Sequence, residues 1–132
     1  MKIEHLNPSG LGTPAGFSHV TISSPGRMVH VAGQVARDAA GRVVGAGDLA
    51  AQAEQVYANL RIALEAAGAG WKDVVKVVTY VVDLTPEKAA AVRAVRNRHF
   101  GDGPLPASTM VGVTALVNPD LLVEIEVSAA LD

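Results

Sequence analysis

Alternation is clearest near the end of the chain. Leu121, Val123, Ile125, Val127 and Ala129 share one parity, and Leu122, Glu124, Glu126 and Ser128 share the other. That is the two-residue period of a strand. Pro106 to Val113 reads as a second strand, joined to the first by a turn at Asn118-Pro119-Asp120. Pro119 fixes φ and pushes the residue before it out of the helical region. Two carboxylates on one strand face, in an otherwise apolar segment, call for an explanation.

Asp73 to Asp83 predicts another strand, with Val74, Lys76, Val78, Tyr80 and Val82 on one side and Val75, Val77, Thr79 and Val81 on the other. Both sides are mostly apolar, so both should be covered. Helices can cover one, and a second subunit is the economical cover for the other. Upstream, spacings of three and four place Leu49, Ala53, Val56, Tyr57, Leu60, Ala63, Leu64 and Ala67 on one helical stripe. Asp48 is its N-cap and Gly68 its end. Gln52, Glu54, Gln55, Arg61 and Glu65 are expected to face away from that stripe. A second helix opens at Thr85-Pro86-Glu87 and runs to about Phe100, with Ala89, Val92 and Val95 inward. Its arginines, Arg93, Arg96 and Arg98, read as a solvated face. Residues 1–16 read as loop, with a short strand at the start. Ser18–Ser23 and Met28–Val35 read as a hairpin around Ser24-Pro25-Gly26-Arg27, and Val43-Val44 as a strand stub. Gly33, before Gln34 in the second of these strands, marks either a bulge or a close approach to the backbone. The order is β-β-α-β-α-β-β, an α+β pattern.

Composition narrows the classes. A chain of 132 residues, 49% hydrophobic and 18% charged, suggests one globular domain over 1–132. A net charge of −2 and no basic run weigh against nucleic acid as a partner. Having no cysteine excludes disulfides, thiolate nucleophiles and Cys-ligated zinc. The polar N-terminus does not read as a signal peptide. No apolar run reaches the roughly 18 residues a membrane helix needs, so a cytoplasmic protein is expected.

Most motifs dissolve on inspection. Gly45-Ala46-Gly47-Asp48-Leu49-Ala50 matches a loose dinucleotide pattern but lacks the acid at the end of the next strand, so a loop and cap is the reading. His5, His19, His30 and His99 lack metal-ligand spacing, although His19 and His30 would face each other across the hairpin. No serine sits in a nucleophile elbow. Glu124 and Glu126 remain. Glu126 reads as solvated on an edge strand, and Glu124 reads either as solvated beside it or as a catalytic carboxylate.

Taken in order, these segments are similar to the RidA/YjgF family, also named endoribonuclease L-PSP or translation initiation inhibitor. The resemblance runs through Val31-Ala32-Gly33-Gln34, Gln52-Ala53, Asn59-Leu60 and Ala66-Ala67-Gly68. It continues in Asp73-Val74-Val75-Lys76, Val81-Val82-Asp83-Leu84, Pro106-Ala107 and Val123-Glu124-Ile125-Glu126. It implies a chorismate-mutase-like α+β fold, with two helices on one face of the sheet, and a homotrimer with a ligand cleft at each subunit interface. It further implies cofactor-free hydrolysis of reactive enamines and imines. Carried over by position, Glu124 would direct the water and Gly33 would supply a backbone contact.

One turn and two positions depart from the family, the turn between the last two strands running slightly longer, through Val117 to Leu122. Ser108 stands where an arginine would bind the substrate carboxylate, and Phe17 stands at a tyrosine position. Arginine offers a carboxylate a bidentate fork, whereas serine offers one neutral donor. A hydrogen bond to a charged group contributes roughly 1.5–3 kcal/mol, so its loss costs on the order of 10- to 100-fold in affinity. No arginine close in sequence replaces it, and hydrolysis of simple 2-imino acids is expected to be weak or absent. Three readings stay open: a hydrolase of a small enamine, imine or related metabolite with altered specificity, a non-catalytic trimer binding small metabolites, and RNA cleavage or translational inhibition.

Overall fold

The helices begin where short polar side chains can take up free backbone amides. The Asp48 carboxylate accepts the Ala51 N–H at 3.1 Å, and the Thr85 hydroxyl accepts the Lys88 N–H at 3.2 Å. In the computed structural model, which describes residues 2–24 and 26–132, these caps open α1 (Leu49–Ala66) and α2 (Pro86–Phe100). Gly68, at φ +77°, carries the chain away from α1. The strands are β1 (Ile3–Leu6), β2 (Val20–Ser23), β3 (Arg27–Val35), β4 (Val74–Val82), β5 (Ala107–Val113) and β6 (Val123–Leu131).

β1 and β2 pair as an antiparallel ribbon, and the other four form a mixed sheet in the order β3-β6-β4-β5. α2 makes the crossover that lets β5 run parallel to β4. Two helices on a mixed sheet make the chain α+β, as the pattern implies.

The alternation assigned the faces of β6 well. Leu121, Val123, Ile125, Val127 and Ala129 are all 3% exposed or less and belong to the helix-covered core. Val56, Tyr57, Leu60 and Leu64 of α1 and Val92 and Val95 of α2 close over them. Each such side chain taken from water contributes about 1.5–3 kcal/mol. On β4, Val77, Thr79 and Val81 are buried on the helix side, while Val78, Tyr80 and Val82 are only half-buried. Among the described residues, no helix covers that second side.

Pairing departs from expectation in three places. β2 and β3 do not form a hairpin: β2 pairs with β1, and β3 pairs with β6. The expected turn includes Pro25, which lies outside the described residues. β3 brings Val31 opposite Val127 and so has a core face to offer, whereas Val20 and Ile22 of β2 are exposed. His19 and His30 therefore do not face each other; His19 packs edge-on against Phe17, and His30 meets the Ser128 hydroxyl. Second, the turn at Asn118 forms, with Leu121 N–H donating to the Asn118 carbonyl at 3.0 Å, but the strands that it joins are separated by β4. Third, β6 is an inner strand, so Glu126 does not sit on an edge.

Gln52 is a further correction. It does not face away from the stripe but is fully buried. Its amide nitrogen donates to the carbonyls of Asp120 and Gly45 at 2.8 and 3.2 Å, and its oxygen accepts the Leu122 N–H at 2.8 Å. A buried amide with all these partners ties α1 to the segment leading into β6.

Candidate functional site

The half-buried face of the sheet carries the first group of candidate residues. Glu124 on β6 lies opposite Tyr80 on β4, and the Tyr80 hydroxyl donates to Glu126 at 2.6 Å. This bond to a carboxylate holds the Tyr80 proton more tightly and raises its pKa, with the nearby charges adding to the effect. Among the described residues, Glu124 accepts no hydrogen bond and pairs with no cation. It is a half-buried carboxylate with its lone pairs free.

Gly33 explains where that carboxylate goes. The β3–β6 register shifts between Val31 and Gln34, so Gly33 lies in a bulge. A Cβ on Gly33 would collide with the Glu124 carboxylate. The two readings of this glycine, bulge and close approach, are both correct. Gly33→Ala is expected to cost about 1–3 kcal/mol by overpacking, read as a lower urea midpoint with an unchanged slope. An unchanged midpoint would mean that Glu124 moves aside freely.

Ser108 and Phe17 form a separate group. Ser18 N–H donates to the Pro106 carbonyl at 3.0 Å and its hydroxyl to the Leu105 carbonyl at 2.6 Å, which anchors Phe17 beside β5. Phe17 and Ser108 line a cavity of about 380 Å³ with Ala15, Met110, Arg93 and Arg96. Ser108 lies opposite Val77 in the ladder, on the helix side, whereas Glu124 lies opposite Tyr80, on the other. One chain thus brings Glu124 to Gly33, and Ser108 to Phe17, but leaves the two pairs apart.

The structure corrects the reading of α2. Arg96 is not solvated but only 6% exposed, and its Nη2 is buried without a hydrogen-bond partner among the described residues. Its one such contact, from Nε to the Asn97 side chain, is long at 3.4 Å. Burial, with a smaller contribution from Arg93, pulls its pKa down. The periodicity held a signal for this, because Arg96 continues the inward spacing of Ala89 and Val92 by four residues. Arg98, by contrast, pairs with Glu54 on α1. The sequence near Ser108 holds no arginine, yet the fold delivers two. Among the described residues, no group of His, Asp or Glu is arranged to hold a metal, and no helix is long and apolar enough to cross a membrane.

The family described as Endoribonuclease L-PSP matches residues 9–131. A RutC family protein of Synechocystis sp. is 36% identical over 99% of this chain and 98% of its own. The 2-iminobutanoate/2-iminopropanoate deaminase of Dermatophagoides farinae is 31% identical over 69% of each chain. A crystal structure from Yersinia pestis, of a protein of unknown function in the conserved Rid family, superposes with a TM-score of 0.93 at 42% identity. It covers 99% of this chain and 100% of its own.

Proposed function

The chain belongs to the endoribonuclease L-PSP family, the RidA/YjgF family, and from that premise we propose that it hydrolyses a small imine or enamine at clefts between the subunits of a homotrimer. One observation carries the reading. Glu124, on an inner strand, holds a carboxylate that pairs with nothing among the described residues and is given room by a glycine. A carboxylate placed so can take a proton from water. The water oxygen then bonds to the imine carbon, and the released proton passes to the nitrogen. The hydroxyl proton of this adduct then moves to the nitrogen as the C–N bond breaks and the carbonyl forms, so imine and water become carbonyl compound and ammonia. The chemistry calls for no cofactor. The relative named as a 2-iminobutanoate/2-iminopropanoate deaminase supports this reaction class.

The trimer answers two needs. It covers the face that presents Val78, Tyr80 and Val82, and it lets the Glu124 side of one subunit meet the Ser108 side of the next. Native mass spectrometry is expected to give three times the chain's 13.6 kDa; a monomer would leave Glu124 and Ser108 in separate places. The net charge of −2 weighs against RNA as the substrate. We assign the protein to the cytoplasm.

The reaction is tested by generating imines with an amino-acid oxidase and following ammonia release. Wild type is expected to accelerate hydrolysis of at least one small imine while handling 2-iminobutanoate poorly. Ser108→Arg is expected to raise kcat/KM for 2-iminobutanoate by about 10- to 100-fold. No acceleration by either protein with any imine would sink the hydrolytic reading and favour a metabolite-binding trimer.

A further inference from the structure

We propose that the Ser108 cavity is an anion subsite whose cations come from α2, and that it takes the acid group of a small monocarboxylate reaching in past the Ser108 hydroxyl. The proposal rests on the reading of this cleft as a small-molecule site. Arg93 and Arg96 border the cavity, and no carboxylate does. Two neighbouring guanidinium groups repel unless an anion lies between them. Two other arginines do meet carboxylates: Arg98 meets Glu54 and Arg42 meets Asp38. A buried guanidinium nitrogen with no partner is costly, and Nη2 of Arg96 is such an atom among the described residues.

The chain makes room for that nitrogen. Gly16 has φ +78°, and a Cβ there would collide with Nη2. The loop before Phe17 therefore passes directly over the guanidinium. Phe17 and Met110 add apolar wall. At about 380 Å³, the cavity falls within the roughly 300–1,000 Å³ of small-molecule sites. An acid group at one end and a short apolar body match this lining.

Ser108 then acquires a positive role. A long side chain here would fill the cavity, whereas serine leaves it open and adds a neutral donor. The α2 cations line the same cavity. A ligand must carry its acid group some bonds beyond the reacting carbon to reach them. The preferred ligand class is therefore a carbonyl or imine compound with a distal carboxylate, as distinct from a simple 2-imino acid.

Calorimetric titration with unreactive keto compounds tests this on the intact protein. Wild type is expected to bind 4-oxopentanoate at least 10-fold more tightly than either 4-oxopentanamide or 2-oxobutanoate. Arg93→Gln, a change at an exposed position, is expected to narrow the preference of acid over amide by roughly 10-fold. Arg96→Lys should narrow it too, and Gly16→Ala should do so by displacing the guanidinium. Equal binding of acid and amide, or a preference untouched by Arg93→Gln, overturns the subsite. So does tighter binding of 2-oxobutanoate, which would put the acid group beside the reacting carbon. Arginine-dependent acid binding without hydrolysis of any imine would uphold the subsite while removing the hydrolase reading. Hydrolysis without any arginine-dependent preference would do the reverse.

Discussion

Glu124→Gln is expected to lower kcat for imine hydrolysis by about 10²- to 10⁴-fold, the usual contribution of a general base. The substitution keeps the shape of the side chain and its packing over Gly33, but an amide cannot accept the water proton. Stability should stay within about 0.5 kcal/mol of wild type, because the Glu124 carboxylate makes no hydrogen bond or ion pair with the described residues. Binding of an unreactive keto acid should change much less than kcat, since the acid group is held elsewhere. The comparison needs steady-state kinetics and a urea titration on the same preparation. A variant that keeps more than a tenth of the wild-type rate would remove Glu124 from the chemistry.

Gln52→Leu is expected to be the most destabilising of the changes considered. Leucine is apolar and close in size, so little cavity forms. The loss comes from the three backbone groups that Gln52 now satisfies: the carbonyls of Gly45 and Asp120, and the Leu122 N–H. An unsatisfied buried group costs about 1–3 kcal/mol. Water can reach part of the turn, so the expected total is about 2–4 kcal/mol, below the full sum. For a chain of this size that corresponds to a fall in Tm on the order of 10 °C. Imine hydrolysis should fall as well, because Leu122 leads directly to Glu124. A Tm within a degree or two of wild type would show that the turn finds other partners.

Gln52 also shows where sequence reasoning stops. Glutamine between apolar helical positions looks like a surface residue, since its amide must be hydrogen-bonded if buried. Two of its partners, Asp120 and Leu122, lie 68 and 70 residues away, in a turn whose place beside α1 depends on the whole sheet. Arg96 was misjudged for the same reason. A charge is assigned to the surface by default, which outweighed the inward spacing of Arg96, and the loop through Gly16 lies against its guanidinium.

Local pattern was enough to place the helix starts at Asp48 and Thr85, the inward face of β6 and the family itself, and to leave Gly33 as either a bulge or a close approach. These depend on periodicity, capping and short motifs, which nearby residues settle among themselves. Tertiary structure alone decided that β3 pairs with β6 in place of β2, and that β4 lies between β5 and β6. It also decided that Glu124 stands apart from Ser108, and that two arginines of α2 converge on the Ser108 cavity. Strand pairing and side-chain encounters across the fold are set by burying all the apolar faces at once. That is a property of the assembled chain, and no single segment carries it.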